Sequence, residues 1–120
     1  MISKSYMKKS PSPYINHIVE ATTQISEYLG GLNETDFRKN RLVQDAIVRQ
    51  LEIIGEACSN LEENFKNSHP KIPWAQIIAM RNKLTHEYWD IDISIIWQAA
   101  TKEAPELKIQ LLELLSQVGK

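Results

Sequence analysis

Three side chains that could carry chemistry lie close together in one short stretch of the chain: Arg81, His86 and Tyr88. An arginine is always cationic, and its planar fork can hold a phosphate through two donors while charge develops on the oxygens. A histidine is the side chain best suited to exchange a proton near neutral pH. Together they suffice in principle to cleave RNA without a metal, with the ribose 2′-hydroxyl as nucleophile and a 2′,3′-cyclic phosphate as product. DNA, which lacks that hydroxyl, would resist this route.

Helical spacing separates two members of this group. Arg81 and Tyr88 are seven residues apart and would share a face of a continuous helix, whereas His86 would lie roughly 140° from Arg81 at about 100° per residue. A joint site therefore needs either a helix that ends near Thr85, so that His86 turns, or a second copy of the chain. In a two-fold interface the same surface is used twice, so a motif near the axis meets its own copy. We expect a homodimer with a composite cleft.

The spacing alone leaves a purely structural role open for the same residues. Arg81 could form an ion pair with an acid on a preceding helix such as Glu56, and His86 could cap a helix end. Asn82 could support the site through a hydrogen bond to the histidine, a phosphate or a base edge, or it could cap a neighbouring helix. Arg49 and Glu56 could form a polar seam that orients the site, although a structural ion pair is favoured.

Other charged residues give weaker indications. The basic cluster Arg38, Lys39 and Arg41 could hold an RNA backbone or the acidic surface of a partner protein, but a solvated helix end is favoured. His17 and His69 have no metal-ligand spacing to another histidine or cysteine. We therefore expect neither a metal nor a cofactor.

The elements that must position these residues begin with a clear helix. Ser12 can cap free N–H groups, and Pro13 suits a first turn. Apolar residues then recur at helical spacing until Gly30-Gly31, which favours a helix end. The pattern predicts a first helix over residues 13–29.

A second helical pattern is the longest in the chain. Asn33 offers an N-cap and Asp36 an acid in the first turn, and the pattern can be interrupted near Lys39-Asn40. Gly55 lies inside the apolar stripe, where it costs about 1 kcal/mol relative to alanine in helix propensity. Its presence there indicates close backbone packing against a neighbouring element.

The second half of the chain predicts three further helices. Ile72-Pro73-Trp74 restarts a helix with proline in the first turn. Asp90 or Asp92 can cap a fourth helix, and Pro105 begins a fifth. The β-branched run Ile91–Ile96 leaves some ambiguity between helix and strand, although the residues after it favour helix.

These elements predict an all-α protein, an antiparallel up-and-down bundle of four to five helices that forms a dimer. We expect a single domain over residues 12–120, preceded by a flexible N-terminus at residues 1–11.

Composition places few limits on the function. The net charge of -1 gives no global attraction to nucleic acid, so any affinity for RNA must come from a local patch. Cys58 is the only cysteine, which excludes an internal disulfide and a zinc site of several thiolates, and we expect it to be a small buried apolar residue. The start of the chain lacks the apolar run of a secretory signal, and no stretch approaches the roughly 20 apolar residues of a membrane span. A cytoplasmic protein is predicted.

The stretch from Arg81 to Tyr88 resembles the Arg-x4-His-x-Tyr signature of HepT-like toxins of the HEPN superfamily. Three further segments resemble recurrent blocks of that family, and the similarity extends over about residues 14 to 115. These segments are Leu51–Ala57, Ile72-Pro73-Trp74 and Met80-Arg81-Asn82.

The resemblance implies a homodimeric helical bundle with metal-independent endoribonuclease activity, acting as the toxin of a toxin–antitoxin system. Arg81 and His86 would be catalytic. The implied partner is a minimal nucleotidyltransferase antitoxin that transfers AMP from ATP to the motif tyrosine, here Tyr88. A different class of function also fits: a non-catalytic helical subunit that presents Tyr88 to a nucleotidyltransferase.

Overall fold

The computed structural model describes residues 10–118, and every regular element in that part of the chain is helical. This confirms the predicted all-α class. Residues 1–9, most of the predicted flexible N-terminus, lie outside the described residues. The elements in chain order are α1 (Pro11–Leu29), α2 (Glu34–Arg38), α3 (Arg41–Asn60), α4 (Glu63–Asn67), α5 (Trp74–Glu87), a 3₁₀ turn (Tyr88–Asp90), α6 (Ile93–Gln98), a π-helical turn (Ala99–Glu103) and α7 (Ala104–Val118).

The first helix begins two residues earlier than predicted. Ser10, not Ser12, is the N-cap, and its side chain accepts a hydrogen bond from the Ser12 backbone N–H at 3.3 Å. Pro11 occupies the first turn, where its missing N–H would have had no helical partner. The helix ends where predicted, because Gly30 adopts the left-handed conformation, with φ of 52°, that favours glycine.

The predicted interruption between α2 and α3 is confirmed. Asn33 caps α2 and Asn40 caps α3, each through a side-chain oxygen that accepts a backbone N–H. The buried Gln44 amide then donates to the carbonyl oxygens of Phe37 at 2.8 Å and Arg38 at 3.1 Å. These bonds satisfy carbonyls at the end of α2 and tie the first turns of α3 to it.

The third helix is central to the bundle. α3 packs against α1 and against α5, and α7 packs against α1. Burying one large aliphatic or aromatic side chain contributes about 1.5–3 kcal/mol, so the shared core holds these helices as neighbours. Fully buried side chains come from several of the elements: Ile15, Ile18, Ile25, Phe37, Ile47, Leu84, Ile96 and Leu111.

The C-terminal half differs from the prediction in one respect. Pro105 does not begin a separate helix, since α6 runs through the π-helical turn directly into α7. Proline has no N–H, and inside an α-helix its ring clashes with the carbonyl one turn back. The π-helical turn before Pro105 is wider than an α-helical turn, because the Ala104 N–H donates to the Ala99 carbonyl five residues earlier. The helix therefore continues through Pro105 without a break.

Two smaller predictions for this region are resolved. Asp92, rather than Asp90, caps α6, because its carboxylate accepts the Ser94 N–H at 2.9 Å. The ambiguous run is helical from Ile93 onward. Across residues 10–118 there is no helix with the length and apolar character that crossing a membrane requires.

Candidate functional site

The fifth helix carries most of the candidate residues. It begins at Trp74, whose indole N–H donates to the His69 carbonyl at 3.0 Å, and Leu84 fixes its far half in the core with 2% of its side chain exposed. The helix is continuous through Glu87, so the turn near Thr85 that would have redirected His86 does not form.

Arg81 lies where α5 crosses α3. Its guanidinium forms an ion pair with the carboxylate of Glu56 and donates through Nη1 to Oδ1 of Asn82 at 2.8 Å. The ion pair anticipated as a structural alternative therefore exists. The Arg81 side chain is still 31% exposed and that of Glu56 53%, so the pair lies at the surface.

Gly55 accounts for the close approach of these two helices. A Cβ atom added at Gly55 would lie 2.1 Å from Cβ and 2.7 Å from Cγ of Arg81, and 3.3 Å from the carbonyl oxygen of Ile77. Real Cβ atoms do not come that close to other heavy atoms. The predicted close packing at Gly55 is confirmed, and its partner is the arginine of the candidate site.

A groove of about 460 Å³ opens beside Arg81, between α1, α3 and α5. Its lining contains two acids, Glu52 and Glu56, and two arginines, Arg49 and Arg81. Its other polar lining residues are Tyr14, His17, Asn60 and Thr85. Arg49 approaches Glu52 at 4.0 Å and not Glu56, so the predicted seam between Arg49 and Glu56 is replaced by two separate pairs. Thr85 on α5 also lines the groove, and its hydroxyl donates to Glu52 at 3.3 Å.

His86 lies outside this groove. It is in the last turn of α5, is exposed, and makes no hydrogen bond or ion pair with any residue between positions 10 and 118. At about 100° per residue it is roughly 140° around the helix from Arg81. The described chain therefore does not bring Arg81 and His86 together, although both can be reached from outside.

Tyr88 lies apart from both the groove and His86. It is the first residue of the 3₁₀ turn and packs against the start of α3. Its hydroxyl donates to Oδ1 of Asp45 at 2.5 Å, and Nε of Arg41 donates to the same oxygen at 3.1 Å. The guanidinium carbon of Arg41 lies 5.9 Å from the centre of the Tyr88 ring. Asp45 was missed in the sequence, where only its i, i+4 spacing from Arg41 could have drawn attention to it.

The electrostatics of this cluster are consistent with its geometry. Burial, followed by the hydrogen bond to Asp45, raises the pKa of the Tyr88 phenol, while Arg41 opposes the shift. The hydrogen bond from Tyr88 lowers the pKa of the Asp45 carboxyl, and Arg41 adds to that effect. At neutral pH the cluster therefore consists of a neutral phenol, a carboxylate and a guanidinium.

The predicted basic cluster is not simply a solvated helix end. Arg38 pairs with Glu34 at 2.9 Å and donates to Ser94 at 2.6 Å, which ties α2 to α6. Arg41 belongs to the Tyr88 cluster. Cys58 is fully buried, as expected, and burial raises the pKa of its thiol to about 12, so the thiolate is scarce near neutral pH.

Comparison with known proteins identifies the class of protein that carries this bundle and motif. Residues 18–114 match the family described as Ribonuclease HepT-like. The chain belongs to that family.

Individual relatives agree with the family match. The chain is 44% identical over 107 residues to a protein of Caldanaerobacter subterraneus subsp. tengcongensis named "Putative RNase", covering 89% of this chain and 96% of that protein. It is 39% identical over 102 residues to a "Probable ribonuclease HepT" of Thermococcus cleftensis, covering 85% and 93%. It is 36% identical over 114 residues to a "Gamma-glutamylcyclotransferase and putative RNase" of Methanocaldococcus jannaschii, covering 95% of this chain and 51% of that protein. No solved structure matches the chain.

Proposed function

We propose that this protein is the toxin of a toxin–antitoxin system, an endoribonuclease in which Arg81 and His86 are the catalytic residues. The observation that carries the proposal is that α5 presents an arginine and a histidine at the surface in the family's own spacing, in a chain that belongs to a ribonuclease family. Arg81 also lines the groove of about 460 Å³ between α1, α3 and α5.

The active form is a homodimer. Because Arg81 and His86 point about 140° apart on one helix, a single chain cannot place both on one phosphate. Two copies of α5 related by a two-fold axis would bring the arginine of one copy opposite the histidine of the other. The active cleft then belongs to the dimer and not to either chain.

In that cleft the chemistry needs no metal. Arg81 would pair with a non-bridging phosphate oxygen and stabilise the charge that develops as the ribose 2′-hydroxyl attacks the phosphorus. His86 would exchange the proton with the attacking or the leaving oxygen. Asn82 already accepts a hydrogen bond from Arg81 through Oδ1, so its amide N–H groups are available for a phosphate or a base edge.

Regulation would act through Tyr88. A cognate minimal nucleotidyltransferase antitoxin would transfer AMP from ATP to the phenol, adding bulk and negative charge close to the path of the RNA. The intact mass of the protein, followed with antitoxin and ATP, tests this directly: we expect gains of whole AMP units in wild type and none in Tyr88→Phe. An equal gain in Tyr88→Phe would remove Tyr88 as the acceptor.

The nuclease proposal is tested by incubating RNA with purified protein in a chelator. We expect cleavage by wild type, loss of at least a hundredfold in Arg81→Ala and in His86→Ala, and full activity in Lys102→Ala, which removes an exposed cation elsewhere. The fragments should end in a 2′,3′-cyclic phosphate. Equal cleavage by wild type and both active-site variants would identify the activity as contamination.

A second function is favoured by the ion pair between Arg81 and Glu56, since it occupies the guanidinium within the chain. In that case the protein would be a non-catalytic subunit that binds the nucleotidyltransferase. Copurification of the two proteins, together with unchanged RNA in cells that express this chain alone, would support the binding role over the nuclease.

A further inference from the structure

Tyr88 is held by a pair of residues that the nuclease proposal does not use. Its hydroxyl donates to Asp45 at 2.5 Å, a distance typical of an O–H donor on an ionised acceptor. Arg41 donates to the same carboxylate oxygen at 3.1 Å and lies over the Tyr88 ring. A phenol, a carboxylate and a guanidinium therefore meet at one accessible point, on α3 and the 3₁₀ turn.

We propose that Asp45 and Arg41 complete the acceptor site around Tyr88: in nucleotidyl transfer Asp45 takes the phenol proton and Arg41 pairs with the incoming α-phosphate. The inference rests on the proposed function, which supplies ATP and the nucleotidyltransferase. Oη of Tyr88 attacks the α-phosphorus, the bond from that phosphorus to pyrophosphate breaks, and pyrophosphate leaves with the electron pair. The proton passes from Oη to Oδ1 of Asp45 and then to solvent.

The chemical need for a base follows from the state of the phenol. Because burial and Asp45 raise the pKa of Tyr88, very little phenolate is present at neutral pH. As the new bond to phosphorus forms, the phenol proton becomes acidic, and a carboxylate already hydrogen-bonded to it can accept it without rearrangement. Asp45 is such a carboxylate, because it already accepts the hydrogen bond from Tyr88. Tyr88 and Arg41 also hold its pKa low, so Asp45 is ionised at neutral pH.

Arg41 fits the second role. Its planar fork already lies beside both the ring and the carboxylate, so a phosphate joined to Oη would form within its reach. The Arg41 side chain is 74% exposed, which leaves donors free for that phosphate.

A purely structural role does not explain the pair. The side chains of Arg41 and Asp45 are 74% and 49% exposed, and i, i+4 ion pairs at such exposure add little to stability. The chain offers a comparison, since Arg38 and Glu34 form an ion pair of the same spacing, with side chains 43% and 44% exposed, without a tyrosine.

The experiment uses the full chain in a His86→Ala background, which removes the proposed nuclease activity and the histidine nearest to Tyr88 in the sequence. The rate of AMP addition is measured by intact mass with antitoxin and ATP. We expect Asp45→Asn to slow the addition about a hundredfold at pH 7, Arg41→Gln to slow it about tenfold, and Glu34→Gln to match the parent.

The pH dependence of AMP addition distinguishes a role of Asp45 as a base from a purely structural role. Among the described residues, the ionisable side chains bonded to Asp45 are Tyr88 and Arg41, while Glu87 and Asp90 flank Tyr88 along the chain and His86 is absent from this background. At each pH, the rate of AMP addition to the parent is divided by the rate for Asp45→Asn. The pH dependence of the antitoxin affects both rates equally and cancels in this ratio. That ratio should fall as pH rises, because the Asn variant depends on phenolate formed by solvent, and the fraction of phenolate increases with pH. A ratio constant with pH would overturn the role of Asp45 as base.

The remaining outcomes distinguish this inference from the proposal beneath it. Addition to Asp45→Asn at the parent's rate would overturn the acceptor site and leave modification of Tyr88 intact. Absence of any mass gain in the parent would overturn the proposed regulation, and the acceptor site with it.

Discussion

Arg81 donates on one side to Glu56 and on the other to Asn82, and about a third of its side chain stays exposed. An arginine held by two partners is already oriented, so less side-chain freedom is lost when a phosphate arrives. The structural and catalytic interpretations of Arg81 are therefore compatible, because Glu56 and Asn82 can hold the guanidinium ready for RNA.

The Tyr88 cluster makes a prediction for the isolated protein. Replacing Asp45 with Asn should lower the pKa of the Tyr88 phenol only part of the way to its ordinary value, because burial is the larger cause of the shift. The phenolate absorbance of Tyr88 can be isolated from the other three tyrosines by subtracting the titration of Tyr88→Phe. An unchanged midpoint in Asp45→Asn would show that the hydrogen bond does not persist in solution.

Single residues also show how far the sequence can predict this site. Arg81, Asn82, His86 and Tyr88 could be found because they lie together in one motif. Asp45 could not, since it lies 43 residues from Tyr88 along the chain and only the packing of α3 beneath the 3₁₀ turn brings the two together. A spacing in sequence can predict a shared helix face, but not which distant carboxylate a tyrosine will meet.

At the scale of elements, the contact between α3 and α5 governs the candidate active site. Gly55 allows the helices to approach until Arg81 fills the space that a side chain would occupy. The position of the guanidinium relative to Glu56 therefore depends on a residue with no side chain of its own.

Gly55→Ala should accordingly harm both stability and activity. Alanine would gain about 1 kcal/mol in helix propensity, but its Cβ would overlap Arg81, and overpacking of this kind typically costs about 1–3 kcal/mol. We expect a lower midpoint in denaturant, and a loss of RNA cleavage measured where the variant is still folded. Ser59→Ala, at an exposed position on the same helix, is the control and should change neither. A fully active and more stable Gly55→Ala would show that the helices separate without consequence.

Several helix boundaries were predicted from a capping side chain or a glycine, although the cap of α1 lies at Ser10 and not at the predicted Ser12. Gly30, Asn33 and Asn40 each end or begin a helix by a local interaction that can be read from residue type. The predicted helix start at Pro105 was wrong, because a π-helical turn can accommodate a proline without a break in the helix. Whether the helix continues or breaks depends on how α6 and α7 pack on the rest of the bundle, and that is not a local property.

At the scale of the whole molecule, three candidate functional locations are spread over the surface of one bundle. The groove at Arg81, the exposed His86 and the Tyr88 cluster share α5 or its end, but they do not form one site in a single chain. The bundle fixes α3 and α5 as neighbours, and in the proposed homodimer a second copy would supply the rest of the cleft. The sequence predicted the 140° separation of Arg81 and His86 on a continuous helix, because α5 follows ordinary helix geometry, and the second copy stays a prediction.

The most direct test of the composite cleft is complementation between two inactive variants. Arg81→Ala and His86→Ala chains, each with its own affinity tag, are coexpressed, and the mixed dimer is isolated by sequential purification on both tags. If each cleft takes its arginine from one copy and its histidine from the other, one of the two clefts in the mixed dimer is intact. We expect RNA cleavage at about half the wild-type rate per dimer, with both parent dimers inactive. A mixed dimer as inactive as its parents would contradict the composite cleft.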